Sequence, residues 1–408
     1  MRIRVFSAEV VTRRGAVVER MRSPVAVATV VVFLDYLSLM VAMPLLPLWA
    51  DRLGATPLTL GALLTAYAAA QLACAPALGA LSDRYGRKPV IVVSLALSAV
   101  SLALIALADS LAMLFAARVV GGLGASFVGA AHAIVADRVG PERQAQAMGY
   151  LGAAIGTAHA IGPALGGALT QLGPSIPIWA AAMLACGNTV FTWTVLPETR
   201  RQPGNTRTGV TMPVQWRELL RSDLIRRLAV IALILGGVGV TLETALVLFT
   251  HRALGWGQTS NAWLHAYHGA VVVIIQLGIV GRCANRFGER RVVLGALGIA
   301  ALGLILLGFS TRPAPVVIGV GLVGMGTGLV SPLLAALFSR ASPPEDRGAV
   351  LGFAHGLTAL DRLVIPMAAS AAFTWFIGSP FIVAGLLCML GTWLVTAPET
   401  DRRTMTNG

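Results

Sequence analysis

Long blocks of apolar residues recur along the chain, separated by short polar stretches. Each block holds about 20 residues, enough for a helix to cross a hydrocarbon core of about 30 Å at about 1.5 Å per residue. A segment that spans a bilayer must satisfy its backbone polar groups internally, so the blocks are predicted to be helices. They predict twelve membrane-spanning helices, at 26–49, 58–81, 89–108, 111–135, 147–172, 176–196, 227–250, 261–284, 291–309, 314–339, 347–372 and 375–397.

Composition supports a membrane protein. Of the 408 residues, 56% are hydrophobic and only 12% are charged, and the mean hydropathy is +0.77. A soluble globular domain carries about a quarter of its residues charged.

No metal or other cofactor is expected, because the four cysteines fall in separate spans without a CxxC spacing. We expect the chain to work as a monomer.

The net charge of +13 would suit a nucleic-acid binder, but the placement of the charge argues against that partner. Basic residues crowd the N-terminal arm, the central loop and the loops after spans 2 and 8. The loops of the other side hold little more than Arg52, Arg252 and Arg312. By the positive-inside rule, both termini and the central loop are predicted to be cytoplasmic in a multi-pass protein of the inner or plasma membrane.

The second half of the chain repeats landmarks of the first half, about 202 residues later. The pairs, in order, are 79–88 with 281–290, Pro141-Glu142 with Pro344-Glu345, and 197–199 with 398–400. Each half holds six predicted spans, an even number, so both halves enter the membrane with the same orientation. The repeat therefore predicts two parallel six-helix halves around a central cavity.

This repeat divides the chain into five predicted parts. They are a cytoplasmic arm (1–25), a first six-helix half (26–196), a cytoplasmic linker (197–226), a second six-helix half (227–397) and a cytoplasmic tail (398–408).

Several motifs resemble the major facilitator superfamily. The segment Gly79–Lys88 matches its signature loop between spans 2 and 3. The segment Leu114–Gly124 resembles its span-4 motif, which carries a single intramembrane arginine, here Arg118. The run Gly162–Gly167 matches the span-5 motif characteristic of antiporters in that superfamily.

The first span resembles one particular family within this superfamily. Phe33-Leu34-Asp35 followed by 44–47 (Pro-Leu-Leu-Pro) resembles span 1 of the twelve-span drug/proton antiporters, which include tetracycline exporters and vesicular amine transporters. Two positions depart from the pattern: Asn285 stands where the first-half loop has Asp83, and Gly121 stands where the span-4 motif usually has a glutamine-like residue. The resemblance implies an all-α major facilitator fold and proton-coupled transport of a small organic molecule across the bilayer.

Charged residues inside spans are functional candidates, because each costs about 2.5–3.5 kcal/mol or more to bury in a bilayer. Asp35 lies roughly 14 Å into span 1 and can hold either a proton or a cationic substrate, as exchange requires. The alternative is a structural carboxylate bonded to a neighbouring helix. The candidates for proton coupling are Asp35, Arg118, Glu243, Asp361 and Arg362.

The other four charged residues leave alternatives open. Arg118 either supports a proton relay, as the resemblance implies, or locks helices together. Glu243 lies at a similar depth and can pair with Arg118, bind substrate directly or form an outer gate. Asp361 and Arg362 are adjacent and point about 100° apart, so each needs a partner elsewhere. In the repeat, Arg362 falls about opposite His159.

The loop after span 2 is predicted to act as a conformational latch. Gly79 and Gly86 allow close approach and a tight turn. Asp83 can cap a helix or bind an arginine of the other half when the cytoplasmic side is closed. The remaining members of this group are Arg84, Arg87 and Lys88. A role in setting the membrane topology alone would also explain these three positive charges.

Small residues make one face of span 5 smooth, which lets helices pack closely, and a proline interrupts its hydrogen bonding. This group is Gly156, Gly162, Pro163, Gly166 and Gly167, with ordinary close packing as the alternative to a directional role.

Four polar side chains are candidate contacts of the substrate cavity: Tyr67, Gln71, Tyr267 and Gln276. Interfacial anchoring also explains some of the aromatic ones.

The leading functional hypothesis is export of a drug or natural product in exchange for protons. The alternative is a proton-coupled carrier of an endogenous metabolite, such as a biosynthetic product, a sugar or an organic acid. A sugar carrier would expose more Trp, Asn and Gln along its cavity helices. An enzyme is not expected, because the sequence shows no nucleophile–base set, metal cluster or phosphate-binding loop.

Overall fold

The computed structural model describes residues 24–125, 141–197, 219–341 and 347–396, and every regular element in these ranges is a helix. The α-helices are α1 (Pro24–Ala42), α2 (Leu46–Arg52), α3 (Pro57–Tyr85), α4 (Arg87–Leu107), α5 (Leu111–Gly124), α6 (Pro141–Leu169), α7 (Ile176–Val195), α8 (Asp223–Leu254), α9 (Gln258–Gly278), α10 (Val280–Phe287), α11 (Glu289–Gly308), α12 (Pro313–Arg340), α13 (Arg347–Trp375) and α14 (Ser379–Thr396).

These helices follow the twelve predicted spans in order. A short 3-10 turn, Met43–Leu45, joins α1 to α2, and α9 and α10 form one segment that bends by 51°. Within the described ranges, eight helices are long and apolar enough to cross a membrane, or nine if the bent pair is one span. The predicted continuation of span 4 beyond residue 125 lies outside the described residues. The predicted all-helical membrane fold is confirmed.

Local sequence signals explain where several helices begin and end. Thr56 precedes Pro57 and accepts a hydrogen bond from the Thr59 backbone N–H at 3.1 Å, which caps the start of α3. Ser222 caps α8 in the same way. Gly255, at a left-handed φ of 66°, ends α8, because glycine adopts this conformation without steric cost.

The described helices form two compact units. The first contains α1–α7 and the start of α9, through Ala266, and the second contains α8 and the remaining helices. In the first unit the core lies where α1, α4 and α6 meet, around Val31, Leu95 and Leu151. In the second unit it lies where α8, α11, α12 and α13 meet. Burial of these apolar side chains against each other stabilises each unit separately.

Neighbour relations between helices repeat from one unit to the other. In the first unit, α1 packs on α6 and α7, while α4 packs on α5 and α7. The corresponding helices of the second unit do the same, with α8 on α13 and α14, and α11 on α12 and α14. The internal sequence repeat therefore corresponds to a repeat of helix packing.

One contact shows this repeat at atomic scale. A Cβ added to Gly124 would lie 2.5 Å from the Ser94 carbonyl oxygen. A Cβ added to Gly326 would lie 2.5 Å from the Ala296 carbonyl oxygen, and both residues are shifted by 202 positions. Glycine at these two sites lets the neighbouring helices approach closely.

Candidate functional site

Asp35 is buried in the first unit, on α1, with 9% of its surface exposed. Its carboxyl group is hydrogen-bonded to the Ser98 side chain on α4. The Ser38 hydroxyl donates to the backbone carbonyl of Asp35 at 2.7 Å, so this serine bonds to the main chain and not to the carboxyl group. A hydroxyl is a neutral partner that can serve a carboxyl group with or without its proton.

A histidine lies beside Tyr36, the residue that follows Asp35. The ring of Tyr36, which follows Asp35, lies 5.7 Å between centroids from the ring of His159 on α6. The His159 Nδ1 atom is 2.9 Å from the Ile155 carbonyl oxygen. Because a carbonyl only accepts hydrogen bonds, Nδ1 is the donor in this contact.

Arg118 is also buried in the first unit, with 4% of its surface exposed. Its guanidinium lies 4.1 Å from the centroid of the Tyr67 ring on α3, which is a close cation–π contact. The tyrosine predicted to line a substrate cavity therefore contacts the intramembrane arginine.

The glycine that departs from the span-4 motif has a structural reason. A Cβ on Gly121 would lie 2.5 Å from the Ser101 hydroxyl and 3.3 Å from the Tyr67 ring. A Cβ added to the next residue, Gly122, would collide with the Tyr67 backbone carbonyl. A glutamine-like side chain has no room at residue 121 in this packing.

The charged residues of the second unit separate into two environments. Arg362 and Glu243 form an ion pair with 4.0 Å between Nη2 and Oε1, and their side chains are 31% and 40% exposed. Asp361 is 4% exposed and packs against Gly236 on α8, where an added Cβ would meet its Oδ2 atom. Adjacent residues thus lie in separate surroundings, as their angular separation on a helix requires. Pairing of Glu243 with Arg118 stays a prediction.

Sequence reasoning missed Gly236. It belongs to a Gly-Gly pair in the middle of a span, which was a visible signal that another helix approaches closely at that depth.

The predicted latch loop is built around a glycine turn. Gly86 has φ 103°, ends α3 and precedes α4, and its counterpart Gly288 has φ 80° at the same point of the second unit. Arg87 is buried and donates to the Ser82 hydroxyl at 3.2 Å. Of the other members, Arg84 is exposed beside the ring of Tyr85, and Lys88 is half-buried.

For two other members of the loop, Gly79 and Asp83, the structure gives no contact that supports the latch. Around an added Cβ on Gly79, no described atom lies within 4 Å, so the expected close approach at this residue is not seen. The side chain of Asp83 lies outside the described residues. The latch role stays a prediction.

The glycines of span 5 pack α6 against its neighbours. A Cβ on Gly162 would meet Met40, and one on Gly166 would lie 2.5 Å from the Val41 carbonyl oxygen, both on α1. One on Gly167 would lie 2.7 Å from the Ala262 Cβ on α9. Gly156 is exposed and has no described atom within 4 Å of such a Cβ, and α6 continues through the buried Pro163.

The remaining cavity candidates have mixed surroundings. The Gln71 side-chain amide donates to the Ala125 carbonyl at 3.3 Å, at the end of α5. The Tyr267 hydroxyl packs against Gly321 of α12, and Tyr267 is 39% exposed. Gln276 is exposed on α9. A contact of these residues with substrate stays a prediction.

A helical fold with buried charges inside membrane-spanning segments is typical of multi-pass membrane transporters. The sequence model of the Major Facilitator Superfamily matches residues 28–281 and 244–407. The chain therefore belongs to the major facilitator superfamily, and the predicted family and fold class are confirmed. It is an integral membrane protein.

Known relatives are similar over nearly the whole chain. The tetracycline resistance protein of class G from Vibrio anguillarum is 31% identical over 391 residues, which cover 90% of this chain and 97% of that protein. Multidrug resistance protein 2 from Bacillus subtilis (strain 168) is 27% identical over 375 residues, which cover 89% and 92%. The crystal structure of the human organic anion transporter MFSD10 (TETRAN) has 25% identity and a TM-score of 0.65, over 92% of this chain and 99% of that one.

Proposed function

We propose that this chain exports a small organic molecule, a drug or a natural product, in exchange for protons by alternating access. The observation that carries the proposal is Asp35, a buried carboxyl group in the first span of a chain similar along 90% of its length to a tetracycline resistance protein. The similarity to a tetracycline resistance protein supports outward transport of the drug.

Asp35 supplies the exchange step. A buried carboxyl group is either neutral with a proton or paired with a cation, because an isolated charge is strongly disfavoured away from water. Proton and cationic substrate therefore exclude each other at this residue. The Ser98 hydroxyl serves both forms, since it donates to the carboxylate and accepts from the protonated acid.

Arg118 holds a second charge in the first unit and is kept in place by Tyr67. A desolvated guanidinium on an aromatic face is stabilised by about 2 kcal/mol. We infer that this contact fixes the position of a positive charge inside the first unit.

The topology proposed with this function puts both termini, the central linker and the loop between α3 and α4 in the cytoplasm. The basic loops identified above support this orientation. In this arrangement the Asp83 loop lies at the cytoplasmic mouth, where a latch would control access.

Reconstitution tests the proposal directly. Purified protein is placed in liposomes that contain a pH-sensitive dye, and tetracycline or a panel of cationic drugs is added under an imposed pH gradient. We expect a drug-dependent proton flux with the wild type and none with Asp35→Asn. The matched control is Asp223→Asn, which makes the same change at a side chain that is 53% exposed near the start of α8.

Two outcomes would contradict the proposal. If no drug of the panel moves protons but an endogenous metabolite does, the chain is a metabolite carrier. If Asp35→Asn keeps the full coupled flux, Asp35 is not the exchanging group.

A further inference from the structure

The short helix α10 has one apolar face and one basic face. Val280 is buried, and Cys283 and Ala284 pack with it against the core of the second unit. These residues are three and four positions apart, so they form one face of α10, which lies on α11 and α12. Arg282 and Arg286, one turn apart, are exposed on the opposite side of the helix. The basic face of α10 therefore points away from the unit that holds it.

The end of α9 shows what surrounds this basic face. Ile274 and Leu277 are 63% and 85% exposed, and large apolar side chains exposed near the end of a membrane span contact lipid tails. The chain then bends by 51° into α10. Arg282 comes five residues after Leu277, which is about 8 Å along a helix. The basic face thus lies where the lipid tails give way to the polar headgroups.

The surrounding charges leave this face strongly positive. Arg290 and Arg291 are exposed at the start of α11. Between Arg282 and Arg291 the sequence holds one acidic residue, Glu289, and its carboxylate pairs with Arg340 of α12 at 3.0 Å. The arginines of this segment therefore outnumber its acids, and the one acid already has a cationic partner. A group that binds to this face should be an anion.

The first unit differs at the corresponding place. There α3 runs unbroken to Tyr85, through the position that corresponds to the bend. At the repeat offset of 202 residues, Arg282 corresponds to Ala80 and Asn285 corresponds to Asp83. A carboxylate repels a phosphate group, whereas the amide of Asn285 can donate a hydrogen bond to one. The departure of the second-half loop from the first-half motif therefore favours an anion.

We propose that α10 lies along the membrane surface and binds the phosphate group of an anionic phospholipid between Arg282 and Arg286. Side chains four residues apart on a helix have Cβ atoms about 5–6 Å apart, so two guanidinium groups can hold one phosphate from two sides. Arg282 also donates to the Gly278 carbonyl, which uses one of its five N–H groups.

An aromatic side chain adds an apolar contact to this site. The ring of Phe287 is 53% exposed, and its centroid lies 5.5 Å from the guanidinium carbon of Arg286. An exposed aromatic ring beside basic side chains suits the boundary between headgroups and acyl chains. A lipid, which offers both a phosphate and acyl chains, therefore fits this surface better than a soluble anion. The site is independent of the exchange step at Asp35.

Hydrogen–deuterium exchange in lipid nanodiscs tests the site in the wild type. Backbone exchange is compared between nanodiscs of phosphatidylcholine and nanodiscs that also contain phosphatidylglycerol, in peptides that cover residues 279–289 and 79–88. We expect phosphatidylglycerol to slow exchange at 279–289 severalfold and to affect 79–88 less. Equal exchange at 279–289 in the two lipids overturns the proposal. Equal slowing in both segments also overturns it, because it would show a general attraction of anionic lipid to basic loops.

Three double variants separate the lipid contact from the fold. Arg282→Gln/Arg286→Gln should lose the slowing by phosphatidylglycerol, whereas Arg282→Lys/Arg286→Lys should keep most of it because both charges remain. Arg221→Gln/Arg312→Gln, which removes two exposed arginines elsewhere, should leave it unchanged. The proposal is wrong if the first variant keeps the full slowing or if the last one loses it.

Native mass spectrometry in an uncharged detergent measures the affinity for phosphatidylglycerol. An arginine near an anionic headgroup strengthens binding about fivefold, so Arg282→Gln/Arg286→Gln should weaken the tightest-bound lipid about 25-fold. Inorganic phosphate is the probe for a soluble anion, and an excess of it should neither displace this lipid nor slow exchange at 279–289 in phosphatidylcholine. An unchanged lipid affinity in the variant, or slowing by inorganic phosphate alone, overturns the assignment to a lipid.

Discussion

Gly166 offers the sharpest test of the packing between α6 and α1. In Gly166→Ala, the new Cβ would lie 2.5 Å from the Val41 carbonyl oxygen, well inside ordinary van der Waals contact. A backbone oxygen cannot rotate away, so the helices must separate. Overpacking of this kind costs about 1–3 kcal/mol, while alanine in a helix gains about 1 kcal/mol over glycine.

Gly156→Ala is the matched control, because it makes the same change on the same helix with no described atom within 4 Å of the added Cβ. Both variants gain the same helix propensity, so the difference between them isolates the packing cost of about 1–3 kcal/mol. Each kcal/mol lowers the Tm by about 2–4 °C for a domain of about 200 residues. Gly166→Ala should therefore unfold several degrees below Gly156→Ala.

Thermal unfolding of detergent-purified protein, followed by a thiol-reactive dye on the native cysteines, measures this difference. The same samples report transport after reconstitution, where a separated pair of helices should also slow the cycle. If the two variants unfold at the same temperature, α6 and α1 do not pack as described, and the close-approach role of the Gly-Pro motif is wrong.

Three further predictions concern other contacts. Tyr67→Phe should keep the cation–π contact and normal transport, whereas Tyr67→Leu should lose about 2 kcal/mol of stability and slow drug-dependent proton flux; equal effects would exclude the aromatic contact. Gly86→Ala should cost about 1–3 kcal/mol, because φ 103° with ψ 162° is open almost only to glycine, while Gly79→Ala should be nearly neutral in the same unfolding assay. A double-mutant cycle of Glu243→Gln and Arg362→Gln should give a coupling energy of about 1 kcal/mol or less, since the pair is half-exposed and 4.0 Å apart; a coupling of several kcal/mol would contradict that assignment.

Much of the fold was predictable from the sequence, because each segment that spans a bilayer needs a certain length and an apolar composition, and both can be read from a single sequence. The repeat was predictable too, and Gly86 and Gly288 show it in their shared turn geometry. The 51° bend between α9 and α10 was not, although Gly278 and Gly281 flank it, because glycines also stand inside helices that continue unbroken, such as Gly162 in α6.

The site was predictable only as a set of candidate residues. Burial of a charge in a span identifies Asp35, Arg118 and Asp361, but it does not say which helix each side chain faces. That depends on the rotation of every helix about its axis, which packing of the whole unit decides. Tyr67 shows the consequence: a residue expected to contact substrate packs on Arg118.

We propose that drug and protons move in opposite directions through this protein. Net tetracycline movement in proteoliposomes, recorded while the sign of the imposed pH gradient is reversed, tests it most directly. We expect the drug to move toward the acidic side in both cases, opposite to the protons, and Asp35→Asn to abolish the response. Drug movement toward the alkaline side, or movement that ignores the gradient in the wild type, would contradict it.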